Sequence, residues 1–438
     1  MVRRSLAQLA VAVVVAAACV QPGAAPAGQQ QTATAAATAQ PPKEVLIGAV
    51  YPLTGALAPT GVDLKNGIEL AVELINSGRP DIDLPLLKDG GGLKNLGGAK
   101  LKLVFADSAG DPAKGQAETE RLITSEKVAV MTGAFQSAVT ATASQAAERL
   151  QVPFVNAESS SPTLVARDFK WFFRSTPDDS MFAENFFQFL DDAATRFPGK
   201  VAKKVVILHT DDLFGSDVNK FVRQFAEKYK YEVVSSVAYK LTAPDLTSEI
   251  QRLKASGAPI LIEASYLADA TLAIRTMKQQ DVNFQAVLAM DAGFVDTKFI
   301  PNVGKDAEFM LTREVWAKDL GTRKPIVKQV NDIFRAKYGT DMTGSSARAF
   351  TGIFVIADAI NRARSIDAVK IQEALKQTNI PASQIVMPWE GIQFDARGQN
   401  TKGRGIMVQI QGGEYVTVWP LELASKPLIW PMPEWTKR

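Results

Sequence analysis

Two loops rich in small hydroxyl side chains stand directly before helical patterns, and this combination can bind an anion. Residues 133–137 (GAFQS) precede an alanine-rich helical pattern, and Ser159-Ser160-Ser161 precede Pro162. Backbone N–H groups at a helix start have no partner within the helix, and the helix dipole favours negative charge there. The hydroxyls of Ser137 and Ser160 can add donors to a carboxylate, although serines at such positions can equally cap their own helices.

Asp291 is a candidate for binding a positively charged group. It follows an apolar segment, residues 284–289, that has the length and composition of a buried strand. A carboxylate in the loop after that strand could meet an ammonium group. It could also cap a helix that begins near Val295.

The sequence lacks the residues on which common hydrolytic and metal sites depend. His209 is the only histidine, and it ends the apolar run of residues 205–208, as a strand-end residue would. There is no phosphate-binding loop and no dinucleotide fingerprint. The acid pairs Asp178-Asp179 and Asp211-Asp212 precede helical patterns, where acids favour the helix N-terminus. We therefore predict no enzyme, no cofactor and no metal.

The elements that must position these loops alternate between strand and helix. Apolar runs of strand length at residues 45–50, 101–105, 128–132 and 152–155 alternate with helical patterns, and the alternation restarts at residue 182. Such alternation predicts α/β lobes with parallel sheets covered on both faces. Ligands of open α/β sheets lie beyond the carboxyl ends of the strands, which is where both serine loops and Asp291 fall. The glycine-rich stretch at residues 79–99 is predicted as a long surface loop.

The N-terminus is typical of an exported protein. Arg3 and Arg4 precede an apolar run that ends in three alanines directly before Cys19, the only cysteine of the 438 residues. This pattern resembles the lipobox of bacterial lipoproteins and predicts a signal peptide at residues 1–18 and lipidation of Cys19. An ordinary cleaved signal with a chance cysteine is the alternative. Residues 19–43 then form a flexible linker, since residues 20–42 are uncharged and contain no aromatic side chain.

The charge balance argues against nucleic acid as a partner. The formal net charge is only +3, and two of the positive charges lie in the signal. A chain with so little excess positive charge has no electrostatic footprint for a phosphate backbone. We expect a monomer that reaches the membrane only through its lipid.

Several motifs, in order along the chain, resemble the leucine/isoleucine/valine-type periplasmic solute-binding proteins of ABC importers. They are IGAVYPLTG at residues 47–55, GIELA at 67–71, DPAK at 111–114, the loop at 133–137, SSSP at 159–162 and DLFG at 212–215. The resemblance implies the type I fold, which has two Rossmann-like lobes with parallel central sheets joined by three crossover strands. It also implies a small-molecule ligand between the lobes and an ABC permease as the partner.

The resemblance also implies a division of the chain. Residues 44–175 and 313–400 would form the first lobe. Residues 176–312 and 401–438 would form the second lobe and a C-terminal tail rich in tryptophan and proline.

Carried over by position, the resemblance gives each loop a role in binding an amino acid. Ser137 and Ser160 would bind the α-carboxylate, and Asp291 the α-ammonium. The remaining predicted ligand residues are Phe135 and Gln136 in the first loop, Glu158 and Ser159 through their backbone, Phe214 and Tyr266 as cleft aromatics, and Thr60 beside the ligand side chain.

Two departures from the family pattern leave more than one class of ligand in play. Amino-acid binders often have tyrosine at the positions of Phe214 and, in some members, Thr60, so this site is roomier and less polar. The family also includes receptors for aromatic acids, amides and urea. An apolar or branched-chain amino acid is the main prediction, and a ligand-sensing regulator on the same fold is a further alternative.

Overall fold

The computed structural model describes residues 41–88 and 90–438. The predicted signal peptide, Cys19 and most of the predicted linker lie outside these ranges. The described residues form an α/β molecule with two main sheets, a five-stranded and a seven-stranded one. This architecture confirms the predicted fold class of two lobes with largely parallel central sheets.

The first sheet is entirely parallel and has the strand order β2-β1-β3-β4-β5. Its central strands are apolar runs buried on both faces, as the sequence predicts for a parallel sheet covered by helices. The last strand, β5, is only three residues long and has no counterpart in the sequence prediction. The strands are β1 (Glu44–Tyr51), β2 (Lys100–Asp107), β3 (Val130–Gly133), β4 (Phe154–Asn156) and β5 (Phe172–Arg174).

The second sheet has a parallel body and an antiparallel edge, in the order β14-β13-β10-β9-β8-β6-β7. The predicted hairpin around Gly412-Gly413 is confirmed, since both glycines adopt positive φ between the two edge strands. The remaining strands are β6 (Lys204–Thr210), β7 (Glu232–Tyr239), β8 (Ile260–Ala264), β9 (Ala286–Ala289), β10 (Leu311–Glu314), the small pair β11 (Asn379–Pro381) and β12 (Gly391–Gln393), then β13 (Ile406–Ile410) and β14 (Tyr415–Trp419).

Helices cover both sheets, and several begin at the acids that the sequence singled out. Asp111, Asp178 and Asp212 each accept a hydrogen bond from the backbone N–H three residues on, as N-caps do. The helices are α1 (Ala58–Ser77), α2 (Pro112–Thr124), α3 (Ser137–Arg149), α4 (Asp179–Arg196), α5 (Leu213–Tyr229), α6 (Thr247–Ala255), α7 (Leu267–Gln279), α8 (Phe299–Val303), α9 (Pro325–Tyr338), α10 (Gly344–Ala363) and α11 (Ala368–Lys376). None of the helices within the described ranges is long and apolar enough to cross a membrane.

Helix α10 is buried along almost its whole length and packs closely on α1. A Cβ atom at Gly67 of α1 would lie 2.4 Å from the carbonyl oxygen of Ser346, so only glycine permits this approach. A capping box at Thr343 and Ser346 fixes the start of α10. The first turn of α10 is thereby held firmly against the first lobe.

The described chain passes between the two lobes three times: after β5, after β10, where the following helices α9 and α10 pack on α1 of the first lobe, and before β13. The predicted lobe boundaries at residues 175 and 400 fall in the first and third of these passages. The predicted boundary at residue 312 needs a correction, because it divides β10. All of Leu311–Glu314 pairs with β13, so the second lobe extends at least to Glu314.

The prediction that residues 79–99 form a surface loop is wrong for the apolar side chains of this stretch. This stretch is irregular, but its apolar side chains enter the core of the first lobe. Glycines at positive φ let the chain fold back repeatedly, so apolar side chains can point inward without a regular helix or strand. The buried side chains are Ile82, Leu84, Leu86, Leu87, Leu93 and Leu96.

The C-terminal tail packs against the second lobe. Trp430 Nε1 donates to the carbonyl of Lys200, and Trp435 Nε1 donates to the carbonyl of Val282. Both acceptors precede strands of the second sheet, at the amino ends of β6 and β9. The indole rings are mostly buried, so the tail covers this end of the lobe.

Candidate functional site

A small cavity of about 20 Å³ lies between the lobes, at the carboxyl ends of strands from both sheets. A cavity of this size has room for about one water molecule. The lobes must therefore separate before a solute can enter. The lining contains seven predicted ligand residues together with Ala292 and Arg348: Phe135, Ser137, Glu158, Ser160, Phe214, Tyr266 and Asp291.

The two serine loops meet on the first-lobe side of this cavity. Ser137 is the first residue of α3, and its Oγ lies 3.4 Å from the backbone N of Ser161 as an acceptor. Gln136 is the N-cap of α3, and its side chain makes no capping hydrogen bond. Ser137 is not the cap residue, and it lines the cavity beside the first-turn amides of α3, which have no partner within the helix.

The side chain of Ser159 links the two serine loops and does not line the cavity. Its Oγ donates to the carbonyl of Phe135 at 2.8 Å and lies 2.5 Å from Thr140 Oγ1. The side chain of Asn156 accepts hydrogen bonds from the backbone N–H groups of Glu158 and Ser159. Both amides are therefore already hydrogen-bonded within the first lobe, and the backbone contacts from these two residues to a ligand stay a prediction.

A cluster of buried charges crosses the gap between the lobes. Asp291 Oδ2 lies 2.7 Å from Nη1 of Arg313, which is on β10, and 3.1 Å from Nη1 of Arg348, which is on α10. Asp179 lies 3.9 Å from Arg313, and its burial raises its pKa to about 7. Asp291 therefore faces two guanidinium groups, and it makes no capping hydrogen bond to its own short helix.

Sequence reasoning missed Arg313, Arg348 and the burial of Asp179. Both arginines are almost completely buried, and Arg313 also stacks on Phe182, with Cζ 3.3 Å from the ring centroid. The sequence signal for these residues was weak, because Arg313 lies between Thr312 and Glu314, and Arg348 closely follows two serines. A buried charge needs a partner, but such polar neighbours do not indicate burial.

Glu158 is a second buried acid at the cavity. Tyr51 OH donates to its Oε1 at 3.0 Å, while Oε2 has no hydrogen-bond partner among residues 41–88 and 90–438. Burial raises the pKa of Glu158 to about 7, although the charge of Arg348 and the Tyr51 hydrogen bond oppose that rise. Glu158 is thus only 3% exposed, and only one of its two carboxylate oxygens has a hydrogen-bond partner among the described residues.

Aromatic side chains from both lobes line the cavity. The rings of Phe135 and Phe214 lie 6.0 and 5.5 Å from that of Tyr266, centroid to centroid. The hydroxyl of Tyr266 donates to Asp212 at 3.3 Å, which turns its polar end away. This wall is suited to an apolar or aromatic group.

The backbone at the cavity is strained in a way that marks functional sites. Phe135, Asp291 and Ala292 line the cavity and have φ angles of 74°, 38° and 45°. Residues other than glycine adopt this region at a cost, and such residues cluster at ligand sites.

Three predicted ligand residues do not line this cavity: Ser159, Gln136 and Thr60. Gln136 faces a second inter-lobe cavity of about 300 Å³, with its Oε1 unpartnered. Thr60 Oγ1 donates to Asp296 Oδ2 at 2.5 Å, which links α1 to the second lobe. Thr60 therefore contributes to lobe closure in this conformation.

The remaining chemical candidates have structural roles. Asp178 and Asp212 cap helices, as predicted. His209 Nδ1 lies 2.9 Å from the carbonyl of Thr210 at the end of β6. No group of three or more histidine, cysteine or acidic side chains in the described ranges could hold a metal ion.

Comparison with known proteins places this geometry in a family. Residues 44–414 match the family model described as periplasmic binding protein. The Leu/Ile/Val-binding protein homolog 7 of Brucella suis biovar 1 is 27% identical over 383 residues, which cover 86% of this chain and 92% of that protein.

Solved structures show the same fold. Streptococcus pneumoniae LivJ, in complex with isoleucine, has a TM-score of 0.70 at 21% identity and covers 86% of this chain and 100% of its own. A solute-binding protein of R. palustris in complex with 4-hydroxybenzoate has a TM-score of 0.71 at 18% identity, with 90% and 99% covered. Since the family model spans most of the sequence, this chain belongs to the periplasmic binding protein family.

Proposed function

We propose that this chain is an extracytoplasmic receptor that closes its two lobes around a small carboxylate-bearing solute and presents it to an ABC permease. The main candidate solute is an apolar α-amino acid. The observation that carries the proposal is the inter-lobe cavity, where serine hydroxyls and a helix N-terminus face an aromatic wall. The similarity to a Leu/Ile/Val-binding protein homolog and to isoleucine-bound LivJ supports the same class of ligand.

The anion would be bound from the first lobe. Ser137 and Ser160 contribute hydroxyls, and the unpaired amides of the first turn of α3 contribute backbone donors. The Nε atom of Arg348 has no hydrogen-bond partner and lies in the same buried lining. Hydrogen bonds to a charged group stabilise by about 1.5–3 kcal/mol each, so each serine accounts for a measurable share of the affinity.

The apolar part of the solute would be enclosed by the second lobe. Phe214, Tyr266 and Ala292 come from that lobe and contact the solute only when the lobes are closed. A ligand that gains these contacts in one state shifts the population toward that state. Closure would then be the signal that the permease recognises.

An amine-free aromatic acid is a second candidate solute. Asp291, the predicted ammonium partner, already faces Arg313 and Arg348. A site with a neutralised acid has less need of an ammonium group. The R. palustris neighbour in complex with 4-hydroxybenzoate is consistent with this candidate.

A thermal-shift panel tests the proposed function. The panel contains apolar amino acids, their amine-free analogues, benzoate and 4-hydroxybenzoate, because ligands that bind the folded form raise its melting temperature. Ser137→Ala combined with Ser160→Ala should abolish the shift, and the exposed Ser248→Ala should preserve it. Absence of a shift with every carboxylate, or an unchanged shift in the double variant, would contradict the proposal.

We also propose that Cys19 carries a lipid anchor that holds the receptor at the membrane surface. The support is the sequence pattern before Cys19. In cells, Cys19→Ser should move the protein from the membrane fraction to the soluble fraction. Retention in the membrane fraction would contradict the anchor while leaving the ligand proposal intact.

A further inference from the structure

Two acids line the cavity, and their hydrogen-bond and ion-pair partners differ. Asp291 is held by two guanidinium groups at 2.7 and 3.1 Å. This acid therefore has a guanidinium partner in each lobe, Arg313 in its own and Arg348 in the other. An arriving ammonium would have to compete with both guanidinium groups for the same carboxylate.

Glu158 has no such partner for one of its oxygens. Oε1 accepts from Tyr51, but Oε2 is buried and makes no hydrogen bond within the described structure. A buried carboxylate oxygen without a partner costs free energy, and a ligand that supplies a donor relieves that cost. Since Glu158 lines the cavity, a solute that enters when the lobes separate would lie beside this carboxylate.

The position of Glu158 fits an α-amino acid. It stands two residues before Ser160, in the loop that would bind the carboxylate, and both residues line the same cavity. In an α-amino acid, a single carbon separates the ammonium group from the carboxylate. A solute whose carboxylate meets Ser137 and Ser160 therefore carries its ammonium close to this same first-lobe wall.

The charges of the site give an independent argument. Asp179 and Asp291 face Arg313 and Arg348, two negative groups against two positive ones. Another nearby acid, Glu314, accepts hydrogen bonds from the backbone amides of Val315 and Gly344. Of the two acids that line the cavity, Asp291 forms ion pairs with both arginines, whereas Glu158 forms none within the described ranges, although the charge of Arg348 also acts on it. Glu158 is therefore the acid that an incoming cation would neutralise.

We propose that the Glu158 carboxylate is the ammonium-binding group and makes the site selective for α-amino acids over amine-free acids. Asp291 instead positions Arg313 and Arg348. This inference rests on the proposed function, because it requires a carboxylate-bearing solute at the serine loops. It reassigns the role that the sequence resemblance gives to Asp291.

The test uses matched ligands that differ only in the amine. Isothermal titration with leucine and 4-methylpentanoate, and with phenylalanine and 3-phenylpropanoate, measures the contribution of the ammonium directly. Glu158→Gln keeps the shape and the Tyr51 contact but removes the charge. It should weaken the better-bound amino acid by about 10- to 100-fold, as loss of a charged hydrogen bond does, and change the amine-free analogue by less than threefold.

Asp291→Asn should weaken both members of a pair by similar factors, because it disturbs the arginines rather than the ammonium contact. Glu158→Asp keeps the charge and should retain part of the selectivity. The exposed Ser248→Ala serves as the control that leaves both affinities unchanged.

Three results would overturn the inference. If Asp291→Asn loses only the amino acid while Glu158→Gln loses neither ligand, the ammonium binds Asp291. If the wild-type protein binds the amine-free analogue more tightly than the amino acid, the site is not selective for the amine. If no carboxylate binds at all, the proposed function fails and the inference fails with it.

Discussion

The two walls of the cleft are built differently. The first-lobe wall is held by hydrogen bonds within its own lobe, from Asn156 to the 158–159 backbone and from Ser159 to the neighbouring loop. On the second-lobe wall, Asp291 has one partner in its own lobe, Arg313, and another across the gap, Arg348. The first wall is therefore complete before closure, whereas closure completes the second. This difference implies that a solute docks on the first lobe and that the second lobe then closes over it.

The largest effect is expected from removing the charge that joins the two walls. Arg348→Met leaves Asp291 facing Arg313 alone and removes the inter-lobe ion pair. Breaking a buried pair from one side costs about 3–5 kcal/mol, so we expect a loss of that order in stability and about 100-fold or more in affinity. Denaturant unfolding and isothermal titration measure the two losses.

Arg149→Met is the matched control, because Arg149 pairs with Glu120 on the surface and its side chain is 61% exposed. Surface pairs contribute at most about 1 kcal/mol. Equal effects of the two variants would contradict the bridging role of Arg348.

The pH dependence of stability should reveal the half-satisfied acid of the first wall. Burial raises the pKa of Glu158 to about 7, so the folded protein holds a proton that the unfolded chain releases nearer pH 4.5. This contribution to the free energy of unfolding is fully present below pH 4.5 and is lost as the pH rises through 7. The loss should reach about 3 kcal/mol by pH 8, at about 1.4 kcal/mol per pKa unit.

Glu158→Gln mimics the protonated acid and isolates this contribution. The variant should show a flatter dependence of melting temperature on pH than the wild type, and greater stability above pH 7 without ligand. Parallel curves for the two proteins would show that Glu158 is not the titrating group.

A smaller effect is expected from loosening the first wall without changing a charge. Ser159→Ala removes the bond to the Phe135 carbonyl and the contact with Thr140, leaving buried polar atoms with fewer partners. We expect the free energy of unfolding to fall by about 1–3 kcal/mol. Affinity should fall in parallel, since the Ser137 loop loses its support. If the variant is destabilised but its affinity is unaffected, Ser159 contributes to stability and does not support the Ser137 loop in binding.

The smallest effect is expected at the edge of the cleft. Thr60→Val removes the inter-lobe hydrogen bond to Asp296 while keeping the side-chain shape. We expect a change of about 1 kcal/mol in the balance between open and closed lobes. Fluorescence energy transfer between labels on the two lobes measures this balance. A change in the rank order of ligands would instead place Thr60 in the binding site.

The sequence predicted what depends on local pattern. Apolar runs gave the positions of the long strands. The rule that ligands bind beyond strand ends pointed to Ser137, Ser160 and Asp291, and these three residues line one cavity. What it could not give depends on the packing of distant segments. Arg348 reaches the cleft because Gly67 lets α10 pack closely on α1, and no periodicity reveals that approach. The pairing of Asp291 with two arginines likewise joins residues from three separate elements.

The C-terminal tail has a practical consequence for studying this receptor. Trp430 and Trp435 fasten it to the amino ends of β6 and β9, whereas the solute cleft lies at the carboxyl ends of the strands. Lys437 is exposed on this remote end of the lobe. A biosensor surface or fluorescent reporter coupled at Lys437 would therefore leave the cleft between the lobes accessible during opening and closure.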